Sequence, residues 1–62
     1  MQPPTVREII KMLKDDGFVL VHTTGDHRKF AKGNRRVIVA GNMNTHVKPG
    51  TWASIQRQAG WK

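Results

Sequence analysis

Apolar residues recur with a helical period near the start of the chain. Four of them are spaced i, i+3, i+4 and i+7, namely Val6, Ile9, Ile10 and Leu13. Thr5 and Glu8 form a T-x-x-E capping box at the start of this stripe, in which each side chain satisfies a free backbone donor of the first turn. Gly17 suits a left-handed helix end. The pattern predicts a helix over about residues 6–16.

Three segments rich in β-branched and aromatic residues follow, and turn-forming pairs separate them. The first strand is predicted over about residues 18–24 and is closed by Gly25-Asp26. The second covers about residues 27–31, and the Gly33-Asn34 pair after it suits a tight hairpin. The third covers about residues 35–40. The simplest arrangement is an antiparallel meander of three strands.

A second helix is predicted after a loop over residues 41–50 that is rich in Gly, Asn and Pro. Thr51 can cap this helix, and three residues lie at i, i+3 and i+7, namely Trp52, Ile55 and Ala59. Gly60 followed by Trp61 suits a left-handed end with an apolar residue that folds back. The helix is therefore expected over about residues 51–59.

The predicted element order is α-β-β-β-α in a single small domain over residues 1–62, which belongs to the α+β class. Three strands are too few to close a barrel, and both helices are amphipathic. We therefore expect the two helices to pack together on one face of the three-stranded antiparallel sheet.

Period-two alternation along the strands predicts which side chains lie on the other, open face. If Phe30 points towards the helices, Arg28 shares its side of the sheet. The same choice in the third strand buries its two valines and turns Ile38 outward. The open face is then expected to carry three polar residues, namely His27, Lys29 and Arg36.

The charge of the chain indicates a polyanionic partner. Eleven Lys and Arg against four Asp and Glu give a formal net charge of +7, which is typical of nucleic-acid binders, so RNA, DNA or an acidic protein are the candidates. The absence of cysteine excludes disulfides and fits a reducing cytoplasm. No apolar segment approaches the roughly 18 residues of a membrane span, and no signal-peptide pattern begins the chain. We expect a cytoplasmic protein that does not act at a membrane.

His27 is the leading candidate for chemistry because an imidazole exchanges protons near neutral pH. RNA can be cut when a base removes the proton of its 2′-hydroxyl, which then attacks the adjacent phosphorus, while cations stabilise the charge and an acid protonates the departing 5′-oxygen. His27 can act as base or acid, and His22, His46 or a lysine could supply the other group. The cations predicted to contact RNA are Arg28, Lys29, Lys32, Arg35 and Arg36.

Other chemistries fit the sequence less well. There is no pair of catalytic carboxylates and no phosphate-cradling glycine loop, and the three histidines lack ligand spacing on one element. We therefore expect no metal site and no small-molecule cofactor. A basic RNA-binding module in which His27 only contacts phosphate is the alternative to an enzyme.

Three segments of the chain carry a family resemblance. They are the opening helix through Asp16-Gly17-Phe18, the turn G-D-H-R-K-F over residues 25–30, and the closing segment P-G-T-W-A-S-I-Q-R-Q-A-G over residues 49–60. In these segments the chain resembles the HicA toxins, small mRNA interferases of bacterial toxin-antitoxin modules. The combination of the glycine-x-histidine turn with the closing helix is the specific part of the likeness.

The resemblance implies a double-stranded-RNA-binding-like fold and metal-independent endoribonuclease activity on mRNA in a type II toxin-antitoxin module. It also implies inhibition by a HicB-type antitoxin and a catalytic role for His27. The chain departs from the family pattern at Asp26, usually serine, at Arg28, often a second histidine, and at Trp52, usually leucine. Asp26 could favour the imidazolium form of His27 or weaken the binding of a nearby phosphate. An inactive toxin relative is therefore a further alternative.

Overall fold

The structure is a computed structural model that describes residues 2–61. This part of the chain contains two helices and three strands. The elements are α1 (Val6–Asp15), β1 (Val19–Thr24), β2 (His27–Lys32), β3 (Arg35–Ala40) and α2 (Pro49–Ala59). The strands form one antiparallel sheet in the order β1-β2-β3. The predicted α-β-β-β-α order and the meander are therefore confirmed. Neither α1 nor α2 has the length and apolar character needed to span a membrane.

Helix α1 begins where the capping box predicts and ends one residue earlier than expected. The Glu8 N–H donates to Thr5 Oγ1 over 3.2 Å, and the Thr5 N–H donates to Glu8 Oε1 over 2.7 Å, which lowers the pKa of Glu8. Gly17 has a φ of 101°, and the next N–H, that of Phe18, donates to the Leu13 carbonyl over 2.9 Å. Because Phe18 belongs to this helix end, β1 begins one residue later than predicted.

Both hairpins are two-residue turns, as the glycine-containing pairs predict. Gly25 and Gly33 each have a φ of 58° at the first turn position, where a residue with a Cβ would be strained. Strand β2 extends one residue further than predicted, to Lys32. One irregularity was not predicted, since a register shift interrupts the pairing of β1 with β2 between Leu20 and His22.

Helix α2 begins at Pro49, two residues earlier than expected, and the prediction of Thr51 as its cap is wrong. Lys48 takes the cap position with an extended backbone and makes no side-chain capping bond. Proline suits the first helical position because its φ is preset and no N–H is needed there. The loop after β3 is correspondingly shorter than predicted. The predicted end of α2 is confirmed, since Gly60 has a φ of 77° and the N–H of Trp61 donates back to the helix.

The core lies between the two helices and one face of the sheet. Its buried residues are Val6, Ile9, Ile10, Leu13, Phe18, Phe30, Val37, Val39, Val47, Ile55 and Ala59. Both helices contact β3, whereas every residue of β1 is exposed. The expectation of two helices on one face is confirmed, and β1 is an edge strand that the helices leave uncovered.

Asp16, immediately after α1, connects three parts of the fold. Its Oδ2 accepts a hydrogen bond from the Trp61 indole N–H over 3.0 Å, and its Oδ1 accepts one from Lys32 Nζ over 3.2 Å. The indole bond and the ammonium group hold the pKa of Asp16 below its ordinary value of 3.8. The end of α1, strand β2 and the end of α2 are therefore joined through one carboxylate.

Candidate active site on the open face of the sheet

The open face of the sheet is the side that the helices leave uncovered, and its residues follow from the strand pairing. Directly opposed residues share a face. One row across the sheet is Thr24, His27 and Ala40, the next is His22, Lys29 and Ile38, and a third contains Ala31 and Arg36. The predicted placement of His27, Lys29, Arg36 and Ile38 away from the helices is confirmed.

His27 is the first residue of β2, immediately after the turn that carries Asp26. Its side chain is 65% exposed, and its Nδ1 lies 3.1 Å from Asp26 Oδ1. A carboxylate at this distance favours the tautomer with the proton on Nδ1, because the oxygen can only accept. Nε2 then carries the lone pair, as a general base requires. Asp26 is itself 63% exposed, so water screens the contact.

Lys29 lies on the same face as His27, two residues further along β2 and opposite both His22 and Ile38. Two residues of strand correspond to about 7 Å, so one phosphate can reach both side chains. Within residues 2–61, the ion pairs that involve lysine use Lys11 and Lys32. Lys29 is exposed and has no acidic partner among those residues, so its charge is available to an anion.

Arg36 shares the open face but lies further from His27 than the sequence suggested. It is opposite Ala31, which is four residues, or about 13 Å, along β2 from His27. Its Nη1 donates to the carbonyls of Gly33 and Arg35 over 2.8 and 2.9 Å, which holds the guanidinium over the hairpin turn. Arg36 is therefore placed to contact a different phosphate from the one beside His27.

Arg28 lies on the helix side of the sheet, as alternation predicts, and is not brought together with His27. Its Nη1 donates to the Asp26 carbonyl over 3.3 Å and to the Gly41 carbonyl over 3.2 Å. These bonds connect the turn before β2, which contains Asp26, to Gly41, the residue that follows β3. The position of Arg28 therefore favours a role in ordering the turn over a direct contact with RNA.

Lys32 and Arg35 also lie away from the open face. They are opposite one another at the far end of the hairpin, on the same side of the sheet as Phe30. Lys32 Nζ donates a hydrogen bond to Asp16 Oδ1. The Arg35 guanidinium lies beside Gly60 at the end of α2. Of the five cations predicted to contact RNA, the structure thus brings only Lys29 and Arg36 to the face of His27.

His22 also lies on the open face, a position that the sequence did not predict. Because Leu20 is opposite Phe30 on the helix side, strict alternation would put His22 on that side too. The register shift between them reverses this and sets His22 opposite Lys29. Its Nε2 lies 2.7 Å from the hydroxyl of Thr24. Nothing in the alternation of residues signals the bulge.

His46 is separate from this group of residues. Its Nδ1 lies 2.6 Å from the Pro3 carbonyl, and it pairs with Thr5 in an isolated bridge, so it fastens the start of the chain to the loop before α2. His46 also borders a cavity of about 340 Å³ at the start of α2. Ala40, which is opposite His27, lines the same cavity, so the cavity lies beside one end of the open face.

The fold and this face define a small basic α+β protein with an exposed histidine beside an exposed lysine. A family model described as HicA toxin of bacterial toxin-antitoxin matches residues 6–61 of the 62-residue chain. The chain belongs to the HicA toxin family, whose members act as the toxin beside an antitoxin partner. No curated protein sequence matches the chain.

Proposed function

We propose that the protein is a metal-independent endoribonuclease that cuts mRNA as the toxin of a type II toxin-antitoxin module. The observation that carries this proposal is the arrangement on the open face, where the exposed His27 contacts Asp26 through Nδ1 and an exposed lysine, Lys29, lies two residues away. Membership of the HicA toxin family supports the toxin role.

In the proposed reaction, Nε2 of His27 removes the proton of an RNA 2′-hydroxyl. The 2′-oxygen forms a bond to the adjacent phosphorus as the bond to the 5′-oxygen breaks, and a second group, acting as an acid, protonates the departing oxygen, which leaves a 2′,3′-cyclic phosphate and a 5′-hydroxyl. Negative charge grows on the phosphoryl oxygens, where the Lys29 ammonium stabilises it. A positioned base of this kind contributes about 10²- to 10⁴-fold in rate.

Binding of the RNA chain is proposed to follow the open face from His27 towards Arg36. The two cations of this face contact different phosphates because the Arg36 guanidinium is held at the Gly33 and Arg35 carbonyls, at the end of the hairpin away from His27. Ile38, 49% exposed and opposite Lys29, offers an apolar surface to a base between them. The net charge of +7 predicts binding that weakens steeply with salt.

Inhibition is proposed to occur on the same face. A HicB-type antitoxin that covers His27 and Lys29 excludes RNA simply because both partners need the same side chains. Acidic groups on the antitoxin would complement the basic toxin and speed its capture. This assigns RNA and the antitoxin to one surface, on which they compete.

Cleavage of single-stranded RNA in EDTA tests the proposal. We expect the wild-type protein to cut, the His27→Ala variant to lose cutting, and a His46→Gln variant to retain it. Circular dichroism of each variant verifies folding. Equal cutting by wild type and His27→Ala would refute the catalytic role of His27. Binding without cutting by the wild type would favour the non-catalytic RNA-binding module instead.

A further inference from the structure

The proposed cleavage needs a proton donor as well as a base. The 5′-oxygen departs as an alkoxide unless a protonated group supplies a proton while its bond to phosphorus breaks. His27 already acts as the base. A second group must therefore be the donor, and its identity rests on the proposed function.

The bulge in β1 places a second imidazole on the open face. His22 is opposite Lys29, and Thr24 is opposite His27, so His22 and His27 are diagonal neighbours across the strand pair. Diagonal neighbours are about 7 to 8 Å apart. Lys29 is the neighbour of both histidines, His22 across the strand pair and His27 along β2, so a phosphate held by its ammonium can reach both imidazoles.

Thr24 orients the ring of His22. Its hydroxyl lies 2.7 Å from His22 Nε2. In the imidazolium form, which a proton donor must have, both ring nitrogens carry protons. Nε2 then donates to the Thr24 oxygen, and the proton on Nδ1 is left to be transferred.

We infer that His22 is the proton donor of the reaction, working across the phosphate from His27. The proton passes from His22 Nδ1 to the 5′-oxygen as the phosphorus–oxygen bond breaks, and His27 receives the proton of the 2′-hydroxyl as the new bond forms. The attacking and leaving oxygens of an in-line displacement lie on opposite sides of phosphorus. A phosphate bound between two imidazoles about 7 to 8 Å apart can present one of these oxygens to each ring.

The other groups of the open face and loop fit this role less well. Lys29 is the nearest alternative, but an ammonium yields its proton near neutral pH less readily than an imidazolium does. His46 lies in the loop before α2, where its Nδ1 is held at the Pro3 carbonyl. Among residues 2–61, His22 is the remaining histidine, and it is on the correct face.

An RNA with sulfur in place of the scissile 5′-oxygen distinguishes a proton donor from a residue with any other role in cleavage. A thiolate departs without a proton, so loss of the donor does not slow cleavage of this substrate. We expect His22→Gln to cut ordinary RNA about 10²- to 10⁴-fold more slowly than wild type and to cut the sulfur substrate at nearly the wild-type rate. The His27→Gln variant should cut both substrates more slowly than wild type, and the His46→Gln variant should cut both at the wild-type rate.

Thr24→Val provides a second variant, since it keeps the shape of the side chain and removes the hydroxyl that orients His22. It should show the same substrate dependence with a smaller loss. The inference alone is overturned if His22→Gln cuts ordinary RNA as the wild type does, or if it is slowed equally on both substrates. A folded wild-type protein that cuts neither substrate overturns the proposed function and this inference with it.

Discussion

Replacing Lys29 with glutamine removes one positive charge from the centre of the open face and changes little else in the fold. The side chain is exposed and has no acidic partner among residues 2–61, so no ion pair is broken. If Lys29 contacts an RNA phosphate, its loss must reduce the number of counterions that binding releases.

The magnitude follows from that single contact. For single-stranded nucleic acid, each neutralised phosphate contributes about 0.7 to the slope of log affinity against log salt. A fourfold rise in salt, from about 50 to 200 mM, therefore costs about 2.6-fold in affinity per contact. Lys29→Gln should flatten the slope by about 0.7 and lower the affinity most at low salt.

Fluorescence anisotropy with a labelled, single-stranded 2′-O-methyl RNA measures this slope, because that RNA lacks the attacking hydroxyl and stays intact. The matched control is Lys14→Gln, which removes the same charge from the exposed last turn of α1. Its slope should equal that of the wild type. An unchanged slope for Lys29→Gln, or an equal decrease for both variants, would show that the open face does not hold the RNA backbone.

Two further predictions concern the fold that supports this face. Because the pKa of Asp16 is lowered in the folded state, its carboxylate stabilises the fold fully above the ordinary value of 3.8, and this contribution is lost as the pH falls through the lowered value. Asp16→Asn should therefore unfold at a lower urea concentration than wild type at pH 7. The two urea midpoints should converge in acid. A difference between the midpoints that does not change with pH would contradict the ion pair with Lys32. Phe30→Ala empties a fully buried site at a cost of about 3 to 5 kcal/mol, against a total stability of about 3 to 9 kcal/mol for a chain of this size. Its free energy of unfolding, measured by urea denaturation followed by circular dichroism, should fall by about 3 to 5 kcal/mol, and a loss below about 1 kcal/mol would refute the central role of Phe30 in the core.

Local signals account for the elements that the sequence predicted well. The capping box of Thr5 and Glu8, the turn glycines and Gly60 each act through their own backbone and its nearest neighbours, so no distant contact is needed to find them. The start of α2 was predicted poorly because both Thr51 and Pro49 are suitable first-turn residues. The Trp52 N–H donates to the Lys48 carbonyl over 2.9 Å, which makes Lys48 the cap and Pro49 the first residue of the helix.

The candidate site was predicted only in part, for a related reason. Alternation along β2 correctly placed His27 and Lys29 on the open face, since a single strand alternates regardless of its partners. Alternation also puts Arg28 and Lys32 on the helix side with Phe30. What these two cations bind there depends on acceptors far away in the sequence, Gly41 and Asp16, and no local pattern predicts those bonds.

The order of elements, the two tight turns and the exposure of His27 can be read from the sequence, because they follow from backbone preferences and the period of each strand. The position of His22 beside His27 depends on how the strands pair in the folded protein. A bulge arises where two strands pair with unequal spacing, and the one in β1 reverses the side on which every following residue of that strand lies. The reversal arises only when β1 pairs with β2, so the sequence of either strand alone does not predict it.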